Sequence, residues 1–359
     1  MKIPALLLFK YDQFIRSLEP VSRMVYSISF CSLKKLCVMN KSTIFVGIDI
    51  SKDVFDVYDS EDGHFQFSND EKGFKLFKKQ LTSAHWCAME ATGCYHQQLA
   101  ITLFETGLRV SVINPLIIKR FVQMKLKQVK TDKSDSKMIC LYALEQVLEL
   151  WSPEPDYIVE CKTLQGVVRL YFKQRTALKN TLHSISTSKR GKVKLKRSIV
   201  RQLKCLDKEI SLLEGAIENL IRTHEKDLYT RLNTIPGVGK KTSMLLIVST
   251  NGFRDFENSR QLSSYFGLAP NERSSGSSVR GRSRISKRGD SLVRNHLFLC
   301  SFTASVHNPQ CKALYDRIVS KGKSKKLALI AVCNKLIKQA YGISKSGLDY
   351  DKNYVGRLS

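Results

Sequence analysis

Apolar runs and alternating positions divide the first third of the chain into short strands and helices. Residues 43–50 (TIFVGIDI) are β-branched and apolar almost throughout, which predicts a strand buried on both faces. Residues 53–60 alternate and predict a second strand, and a turn ending at Gly63 leads to a third strand at 64–68. These three strands are expected to form an antiparallel meander.

Helices and strands alternate after this meander. Asn69 opens an N-cap signature for a helix that runs to about residue 82. Further segments follow in chain order: a strand at 84–90, a helix at 95–106, a strand at 109–115 stopped by Pro115, and a helix from about 134 to 150. This order is that of an RNase H-like domain, although periodicity alone also permits other α/β folds.

The middle of the chain carries a heptad pattern. Apolar residues recur at alternating spacings of four and three, at Ile199, Leu203, Leu206, Ile210, Leu213, Ile217 and Leu220. The same spacing runs through Leu164, Val168, Tyr171, Arg175, Leu178, Leu182 and Ile185, with Arg175 as the break. We interpret the two runs as a coiled-coil helical hairpin. It would either pack on itself alone or also support dimerisation.

These patterns divide the chain into five segments. Residues 1–38 are treated as an N-terminal extension outside the fold, since Met39 would also serve as a start just before the first strand. The remaining segments are an RNase H-like domain at 42–152, the coiled-coil hairpin at 160–228, a mainly α C-terminal domain at 230–345 and a tail at 346–359. A length of 359 residues is compatible with two or three domains of roughly 150 residues each.

Composition adds a strong positive charge to this outline. The chain has 59 Lys and Arg against 32 Asp and Glu, a formal net charge of +27. With 43% hydrophobic residues it can bury a core, which excludes a fully disordered chain. The charge indicates a polyanionic partner, nucleic acid before an anionic membrane surface. Eight Lys and Arg and no acid lie between residues 189 and 204, at the turn of the expected hairpin.

Cysteine spacing and hydropathy limit the compartment. None of the ten cysteines forms a C-x2-C or C-x4-C pair, so neither a zinc site nor a redox motif is predicted. We expect them to be small buried hydrophobic residues in a reducing cytosol. No apolar run reaches the ~18 residues of a membrane helix, and the short run at 3–9 has no cleavage site. A cytoplasmic, nucleoid-associated protein without a membrane partner is therefore expected.

Four carboxylates occupy positions that suit metal chemistry. Asp49 lies in the first strand, Glu90 ends the fourth, and Asp132 and Asp135 open the helix after the fifth. In an RNase H-like sheet the first and fourth strands are neighbours, and that helix crosses beside them. Oxygen donors gathered there suit Mg2+, and two such ions can hold the attacking and leaving oxygens of a phosphodiester. Each acid alone is also compatible with a turn or a helix cap.

A glycine-rich turn and a serine-rich segment lie in the C-terminal domain. IPGVGKKTSMLLI (235–247) has the pattern of a helix-hairpin-helix, whose glycines bring backbone N–H groups close to a phosphate, although a plain helix–helix turn also fits it. NERSSGSSVRGRSRISKRGD (271–290) holds six serines and six Lys and Arg. Such composition is often a solvated linker. Here apolar segments on both sides place a serine among cations that could stabilise its alkoxide.

Several of these motifs together resemble one family. GIDISK, AMEATGCYH and KTDKSDSKMI, followed by IPGVGKKTS, RDFENSRQLSSYFGLAP, RSSGSSVRGRSRISKRGDSLVRNHLF and HNPQCKALYDRIVSKGKSKKLALIAVCNKL, occur in the order found in the DEDD transposases of the insertion sequence 110 type. The resemblance covers about residues 42–345. It implies a RuvC-like variant of the RNase H fold in the first domain and an IS116/IS110/IS902-type transposase domain at the C-terminus.

The resemblance also implies a function. Members are site-specific recombinases that excise and insert their own element, work as dimers or tetramers, and are guided by an element-encoded bridge RNA. Asp49, Glu90, Asp132 and Asp135 are then the catalytic metal ligands for Mg2+, two ions per site, with Mn2+ as a substitute. Ser275, which precedes a glycine, is the nucleophile candidate, and Ser274 and Ser277 are its rivals.

Nucleic-acid contacts are expected at three groups of residues. They are Lys189, Arg190, Lys192, Lys194, Lys196 and Arg197 at the hairpin turn; Gly237, Gly239, Lys240 and Lys241 at the glycine-rich turn; and Arg280, Arg282, Arg284, Lys287 and Arg288 in the serine-rich segment. Two other functions remain open. One is a RuvC-like metal-dependent endonuclease in which water attacks, and the other is a nucleic-acid-binding protein without catalysis.

Overall fold

The chain folds into two compact units, and the boundary between them in sequence lies between Pro153 and Glu154. The computed structural model describes residues 43–125, 132–187, 193–271, 274–275, 279–280 and 284–353. The expected N-terminal extension at 1–38 lies outside these ranges, as does the end of the tail. Within them, no helix combines the length and the apolar character needed to cross a bilayer.

The first unit is built on a five-stranded mixed sheet. Its strands are β1 (Ile44–Ile50), β2 (Val54–Asp59), β3 (Gly63–Ser68), β4 (His85–Glu90) and β5 (Arg109–Ile113). Their order across the sheet is β3-β2-β1-β4-β5. The first three strands pair antiparallel, and β4 and β5 continue the sheet parallel to β1. This arrangement is consistent with the RNase H-like domain that the sequence predicts.

Four helices accompany the sheet, and one of them was not expected. They are α1 (Glu71–Gln80), α2 (Gln97–Glu105), α3 (Pro115–Met124) and α4 (Asp132–Glu145). The sequence predicts that Pro115 ends a strand. In the structure Pro115 is the first residue of α3. Proline is tolerated there because the first-turn N–H has no helical acceptor, and Asn114 caps the helix by accepting from the Leu116 N–H at 2.9 Å.

The two faces of the sheet bury different cores. On one face, Val46, Ile48, Met89 and their neighbours pack against α1 and α2, with a cluster of phenylalanines around Phe55. On the other face Phe45 and Ala88 pack against apolar residues of α3 and α4. Odd-numbered residues of β1 point to this second face, because successive side chains of a strand alternate. Asp49 belongs to the same row as Phe45.

The second unit begins with two long helices, α5 (Asp156–Thr187) and α6 (Val193–His224), which pack along one another. Ile199, Leu203, Ile210 and Ile217 of the heptad pattern are buried on α6. Arg175, the break in the pattern on α5, donates to Asp207 on α6 at 3.0 Å. The expected coiled-coil hairpin occupies this pair of helices, and its supercoiling and any role in dimerisation stay predictions.

The remainder of the second unit is mainly helical. Its helices are α7 (Lys226–Leu232), α8 (Lys240–Ser249), α9 (Ser259–Tyr265), α10 (Ser291–His307), α11 (Pro309–Ser320) and α12 (Lys325–Ser346). The serine-rich segment is not the plain loop that we expected. It contains the short strands β6 (Pro270–Asn271), β7 (Ser274–Ser275), β8 (Val279–Arg280) and β9 (Arg284–Ile285). These pair as β6 with β9 and β7 with β8, both antiparallel.

Candidate active site and nucleic-acid-binding surfaces

Two of the predicted carboxylates end neighbouring parallel strands. Ile48 of β1 pairs with Met89 of β4, so the next residues, Asp49 and Glu90, stand at corresponding positions. Both side chains are partly buried. Since the carboxyl ends of parallel strands meet at one edge of a sheet, the fold brings these two acids together although 41 positions separate them in sequence.

Helix α4 lies directly over the same face of the sheet. A Cβ placed on Gly47 would meet the Ser136 carbonyl oxygen at 2.2 Å and the Cys140 nitrogen at 2.3 Å, so only glycine permits this approach. The Cys140 thiol donates to the Phe45 carbonyl oxygen at 3.2 Å. The helix therefore runs past Phe45 and Gly47 with its first turn toward Asp49. Asp135, which is partly buried, lies in that turn together with Asp132, whose side chain is outside the described structure.

A further carboxylate, which the sequence analysis did not select, lies opposite Asp49. Asp56 of β2 pairs with Asp49 in the antiparallel register and is only 6% exposed. It accepts hydrogen bonds from His64 Nε2 at 2.8 Å and from Gln66 Nε2 at 3.3 Å, both on β3. Ser51 bonds to Val54 across the tight turn after β1, and the resulting register makes Asp49 and Asp56 partners.

The chemistry of this face fits a hard divalent cation. Its acids supply only oxygen donors, which Mg2+ and Mn2+ prefer. Among the side chains that the structure describes, no three His, Cys, Asp or Glu groups lie close enough together to hold a metal ion. Asp49, Glu90 and Asp135 belong to those side chains, so these three do not by themselves form such a group. The Asp132 side chain lies outside the described structure, and the four-carboxylate set remains a prediction of the sequence.

Two buried cysteines, Cys140 on this face of the sheet and Cys87 on the opposite face, are chemically inert. Burial raises the pKa of the Cys87 thiol to about 12, and burial with the nearby Asp59 carboxylate raises that of Cys140 to about 11. A thiol must ionise to act as a nucleophile or a metal ligand. Both therefore serve packing at neutral pH. The eight cysteines of the described residues are free thiols, and five of them are buried as expected, whereas Cys94 and Cys205 are exposed.

The described parts of the serine-rich segment, which we call the ribbon, are two short antiparallel strand pairs, β6 with β9 and β7 with β8. Ser274 pairs with Arg280, and Ser275 with Val279, so both serines lie on the ribbon backbone. Ser277 and Arg282 lie outside the described residues, as do the side chains of Ser275 and Arg280. Arg284 of β9 is exposed, and so are Lys287 and Arg288, which follow that strand. Serines and cations thus share one ribbon.

Arg294, a residue that the sequence analysis missed, ties down the base of this ribbon. Its Nη1 atom donates to the carbonyl oxygens of Phe266, Arg288 and Gly289 at 3.1, 3.2 and 3.0 Å. Phe266 precedes the ribbon and the other two follow it. A single guanidinium on α10 therefore joins both ends of the segment that carries the serines.

The glycine-rich turn lies between α7 and α8, and its residues make contacts inside the protein. Gly237 has a φ of +98°, and a Cβ there would come within 2.7–2.9 Å of atoms of Ala304 on α10. Lys241 donates to both carboxylate oxygens of Glu214 at 2.7 Å. Gly239 is the N-cap of α8, and Lys240 is exposed beside it. The turn thus has an internal packing role that its sequence did not indicate.

The basic turn between α5 and α6 is described only in part. Lys189, Arg190 and Lys192 lie outside the described residues. On the first turns of α6, Lys194 and Arg197 are exposed and Lys196 is partly buried. None of these three is in an ion pair among the described residues. Their charge remains open to an external anion.

Two family models match this chain in consecutive regions. The model of the DEDD transposases of the IS110 type matches residues 46–187, which include the sheet and α4. The model described as Transposase IS116/IS110/IS902 family matches residues 229–316, which include the glycine-rich turn and the serine ribbon. The chain belongs to the IS110 family of insertion-sequence transposases.

Relatives of this transposase match it over most of its length. The pilin gene-inverting protein of Moraxella bovis is 29% identical over 327 residues, which cover 87% of this chain and 98% of that protein. The transposase of insertion sequence element IS1111A from Coxiella burnetii is 26% identical, with 81% of this chain and 83% of the relative covered. The IS1328 transposase of Yersinia enterocolitica is 26% identical, with 86% of this chain and 98% of the relative covered.

Family membership establishes the general chemistry. This transposase is a DNA-processing enzyme. Its match to a DEDD transposase domain also indicates that it requires a divalent metal ion.

Proposed function

We propose that this transposase cuts and rejoins DNA by Mg2+-dependent attack of a serine on a phosphodiester. The observation that carries the proposal is the β1/β4 register, because it sets Asp49 beside Glu90 beneath the first turn of α4. Two acids distant in sequence, with two more on the covering helix, would supply the oxygen ligands that divalent cations need.

Asp49, Glu90, Asp132 and Asp135 would hold the metal, two Mg2+ ions per site, and Mn2+ would substitute. When bound, the ions stabilise negative charge on the phosphate and on the oxygens that attack and leave. Asp56 lies outside this set. Its hydrogen bonds to His64 and Gln66 hold it on the neighbouring strand, where it limits the position of Asp49.

Ser275 is our first choice as nucleophile, with Ser274 and Ser277 as rivals. Its hydroxyl oxygen would form a bond to phosphorus while one bond from phosphorus to a sugar oxygen breaks. The hydroxyl proton goes to a base, and the leaving oxygen takes up a proton. The product is a covalent protein–DNA ester, which conserves the phosphodiester energy for rejoining. Cations on the same ribbon support the developing negative charge.

The proposal includes partners for this reaction. An element-encoded bridge RNA would pair with donor and target DNA, and the protein would act as a dimer or tetramer associated with the nucleoid. The net charge of +27 supports nucleic acid as the partner. Exposed cations on the ribbon and at the start of α6 supply candidate phosphate contacts.

The test is a search for the covalent intermediate. Purified protein is incubated with its flanking non-coding RNA, DNA carrying the element ends, and Mg2+, then denatured and examined for a protein–DNA adduct. We expect Ser275→Ala and Asp49→Asn to abolish the adduct, and chelation of the metal to abolish it in the unchanged protein. Asp53→Asn is the control for the second variant, because Asp53 is exposed in the turn after β1.

The outcomes separate the alternatives. An adduct that persists in Ser275→Ala removes that serine from the role, and single replacement of Ser274 and Ser277 then identifies the nucleophile. Strand cleavage that survives replacement of all three serines favours the RuvC-like endonuclease, in which water attacks. Biological activity that survives both Asp49→Asn and Glu90→Gln would leave only nucleic-acid binding.

Site-specific inversion is a second candidate reaction. It is favoured by one observation, the 29% identity to a pilin gene-inverting protein over 98% of that protein's length. A plasmid that carries two element ends in inverted orientation tests it. Reversal of the segment between the ends would support inversion, whereas excision or insertion without reversal would exclude it.

A further inference from the structure

We propose that the groove between α11 and α12 binds the phosphodiester backbone of one DNA strand. This groove lies outside the serine ribbon, the glycine-rich turn and the basic turn of the long helices. The inference rests on the DNA-directed function proposed above, but it does not depend on which residue is the nucleophile.

The groove is formed by one stripe of each helix. On α11 the lining residues are Gln310, Ala313, Leu314 and Arg317, and on α12 they are Ala331, Asn334, Lys335 and Lys338. Each set follows the i, i+3, i+4, i+7 spacing of one helix face. The groove has a volume of about 560 Å³.

The charge of the groove is one-sided. Its charged lining residues are Arg317, Lys335 and Lys338, and none of these forms an ion pair among the described residues. Residues 309–346 contain nine Lys and Arg and one acid, Asp316. Three unpaired cations along one cleft need a counter-anion, and a chain of phosphates supplies several at regular spacing.

The groove is preformed, because the core of the second unit holds α12 in place. Its neighbouring residues Val332, Cys333, Leu336 and Ile337 are fully buried. Asn334, at the groove, accepts from the Ser263 hydroxyl of α9 at 2.8 Å. At one end, Gln310 accepts from Gln339 at 2.9 Å. A ligand therefore meets fixed walls and does not have to order them.

The length of the groove fits a short piece of nucleic-acid backbone. Seven residues of helix span about 10 Å at 1.5 Å per residue. Because the backbone winds around the axis, adjacent phosphates of one strand are farther apart than the axial rise of about 3.4 Å per nucleotide, so about two phosphates fit along the groove. Arg317 near the closed end of the helix pair would meet one phosphate, and the two lysines farther along would meet the next. Such contacts position DNA without reading its sequence.

The test compares two variants that lose the same charge. The groove variant carries Arg317→Gln, Lys335→Gln and Lys338→Gln together. The control variant carries Lys72→Gln, Lys75→Gln and Lys79→Gln, three exposed lysines of α1. Affinity of the full-length protein for a labelled duplex DNA of arbitrary sequence is measured by fluorescence anisotropy over a range of salt concentrations. A labelled single-stranded RNA serves as the second probe, and circular dichroism verifies folding.

We expect the groove variant to bind duplex DNA at least about tenfold more weakly, with a salt slope reduced by about 0.9 for each lost phosphate contact. The control variant should retain most of the affinity. Arg317→Lys, which keeps the charge, should bind nearly as the unchanged protein does. If the groove variant fails to fold, the three single substitutions, each with a smaller loss in the same direction, replace it.

Three results would overturn the proposal. The first is a folded groove variant whose DNA affinity and salt slope are unchanged. The second is an α1 control variant that loses as much DNA affinity as the groove variant does. The third is a groove variant that loses RNA affinity but retains DNA affinity. The last would assign the groove to RNA. The adduct assay keeps this test separate from that of the proposed function. If the unchanged protein forms no adduct but the groove variant binds DNA more weakly, only the serine mechanism is rejected.

Discussion

Gly47 has a structural role that the surrounding sequence does not predict. It lies in the middle of β1, where glycine is unfavourable because it adds no packing of its own. In the fold its bare Cα lets α4 approach, so that the helix backbone at Ser136 and Cys140 lies against the strand. The positions of Asp135 and Asp132 relative to Asp49 depend on this close approach.

Gly47→Ala should therefore displace α4 and lower the free energy of unfolding by about 2–3 kcal/mol, as overpacking of a core does. Gly166→Ala is the matched control, because nothing lies within 4 Å of a Cβ at that exposed position of α5. It should raise the stability by up to about 1 kcal/mol through better helix propensity. Urea denaturation followed by circular dichroism measures both, and equal stability of the two variants would contradict the packing argument.

Arg294 is the second position at which one residue fixes a site. Arg294→Lys keeps the positive charge but replaces a planar group that reaches three carbonyl oxygens with a single ammonium. We expect adduct formation to fall at least about tenfold while DNA affinity changes little, since misplacement of a reacting group by 1 Å can cost about a hundredfold in rate. Single-turnover kinetics measure the rate of adduct formation, and fluorescence anisotropy measures DNA affinity. An equal loss in rate and in affinity would indicate that Arg294 contacts DNA itself.

At the scale of elements, periodicity predicted the long helices better than the short ones. The heptad pattern correctly placed apolar residues on the buried side of α6. It did not show why Arg175 interrupts the partner pattern. The structure supplies the reason, which is its ion pair with Asp207 and its position over the Phe172 ring at 5.0 Å.

Two aliphatic deletions on α6 should differ sharply. Ile217 is 4% exposed, whereas Leu212 on the same helix is 57% exposed. Ile217→Ala should cost about 2–5 kcal/mol of unfolding free energy because it leaves a cavity. Leu212→Ala should stay within about 0.5 kcal/mol. Thermal or urea unfolding of the full chain measures both, and a comparable cost at Leu212 would mean that this surface is covered by another copy of the protein in solution.

Helix α3 shows where element prediction failed. After a strand, Pro115 is expected to end that strand, and the basic residues that follow it are expected to form a connection without a helix. The same proline begins a helix with Asn114 as its cap, and Ile118 and Phe121 bury one side of that helix. Local sequence permits both structures. The choice was made by α4 and β5: Ile118 belongs to a core with Ile113 of β5 and Ile139 of α4, and Phe121 packs edge-on against Tyr142 of α4.

At the scale of the whole molecule, the excess of positive charge is the dominant feature. Some cations are neutralised internally, such as Lys241 by Glu214 and Arg175 by Asp207. Others, including those of the α11–α12 groove and the start of α6, form no ion pair among the described residues. The net charge therefore overstates the number of possible phosphate contacts.

The affinity for duplex DNA should nevertheless fall at least about a hundredfold between about 50 and 200 mM salt, because each phosphate contact releases counterions. Anisotropy titrations at several salt concentrations give the slope, and hence the number of contacts. Affinity that stays flat across this range would contradict binding through phosphates.

The sequence alone determined the family, the order of the five strands and of every helix but α3 in the first unit, and the four acids and three serines worth testing. Those features are written in ordered motifs and in apolar periodicity, which are local properties of the chain. Only the tertiary structure decided which residues meet. The cross-strand partnership of Asp49 and Asp56, the approach of α4 at Gly47, the three carbonyls held by Arg294 and the cationic groove between α11 and α12 each join segments through register or packing. Such contacts depend on where whole elements come to lie, and no single stretch of sequence encodes them.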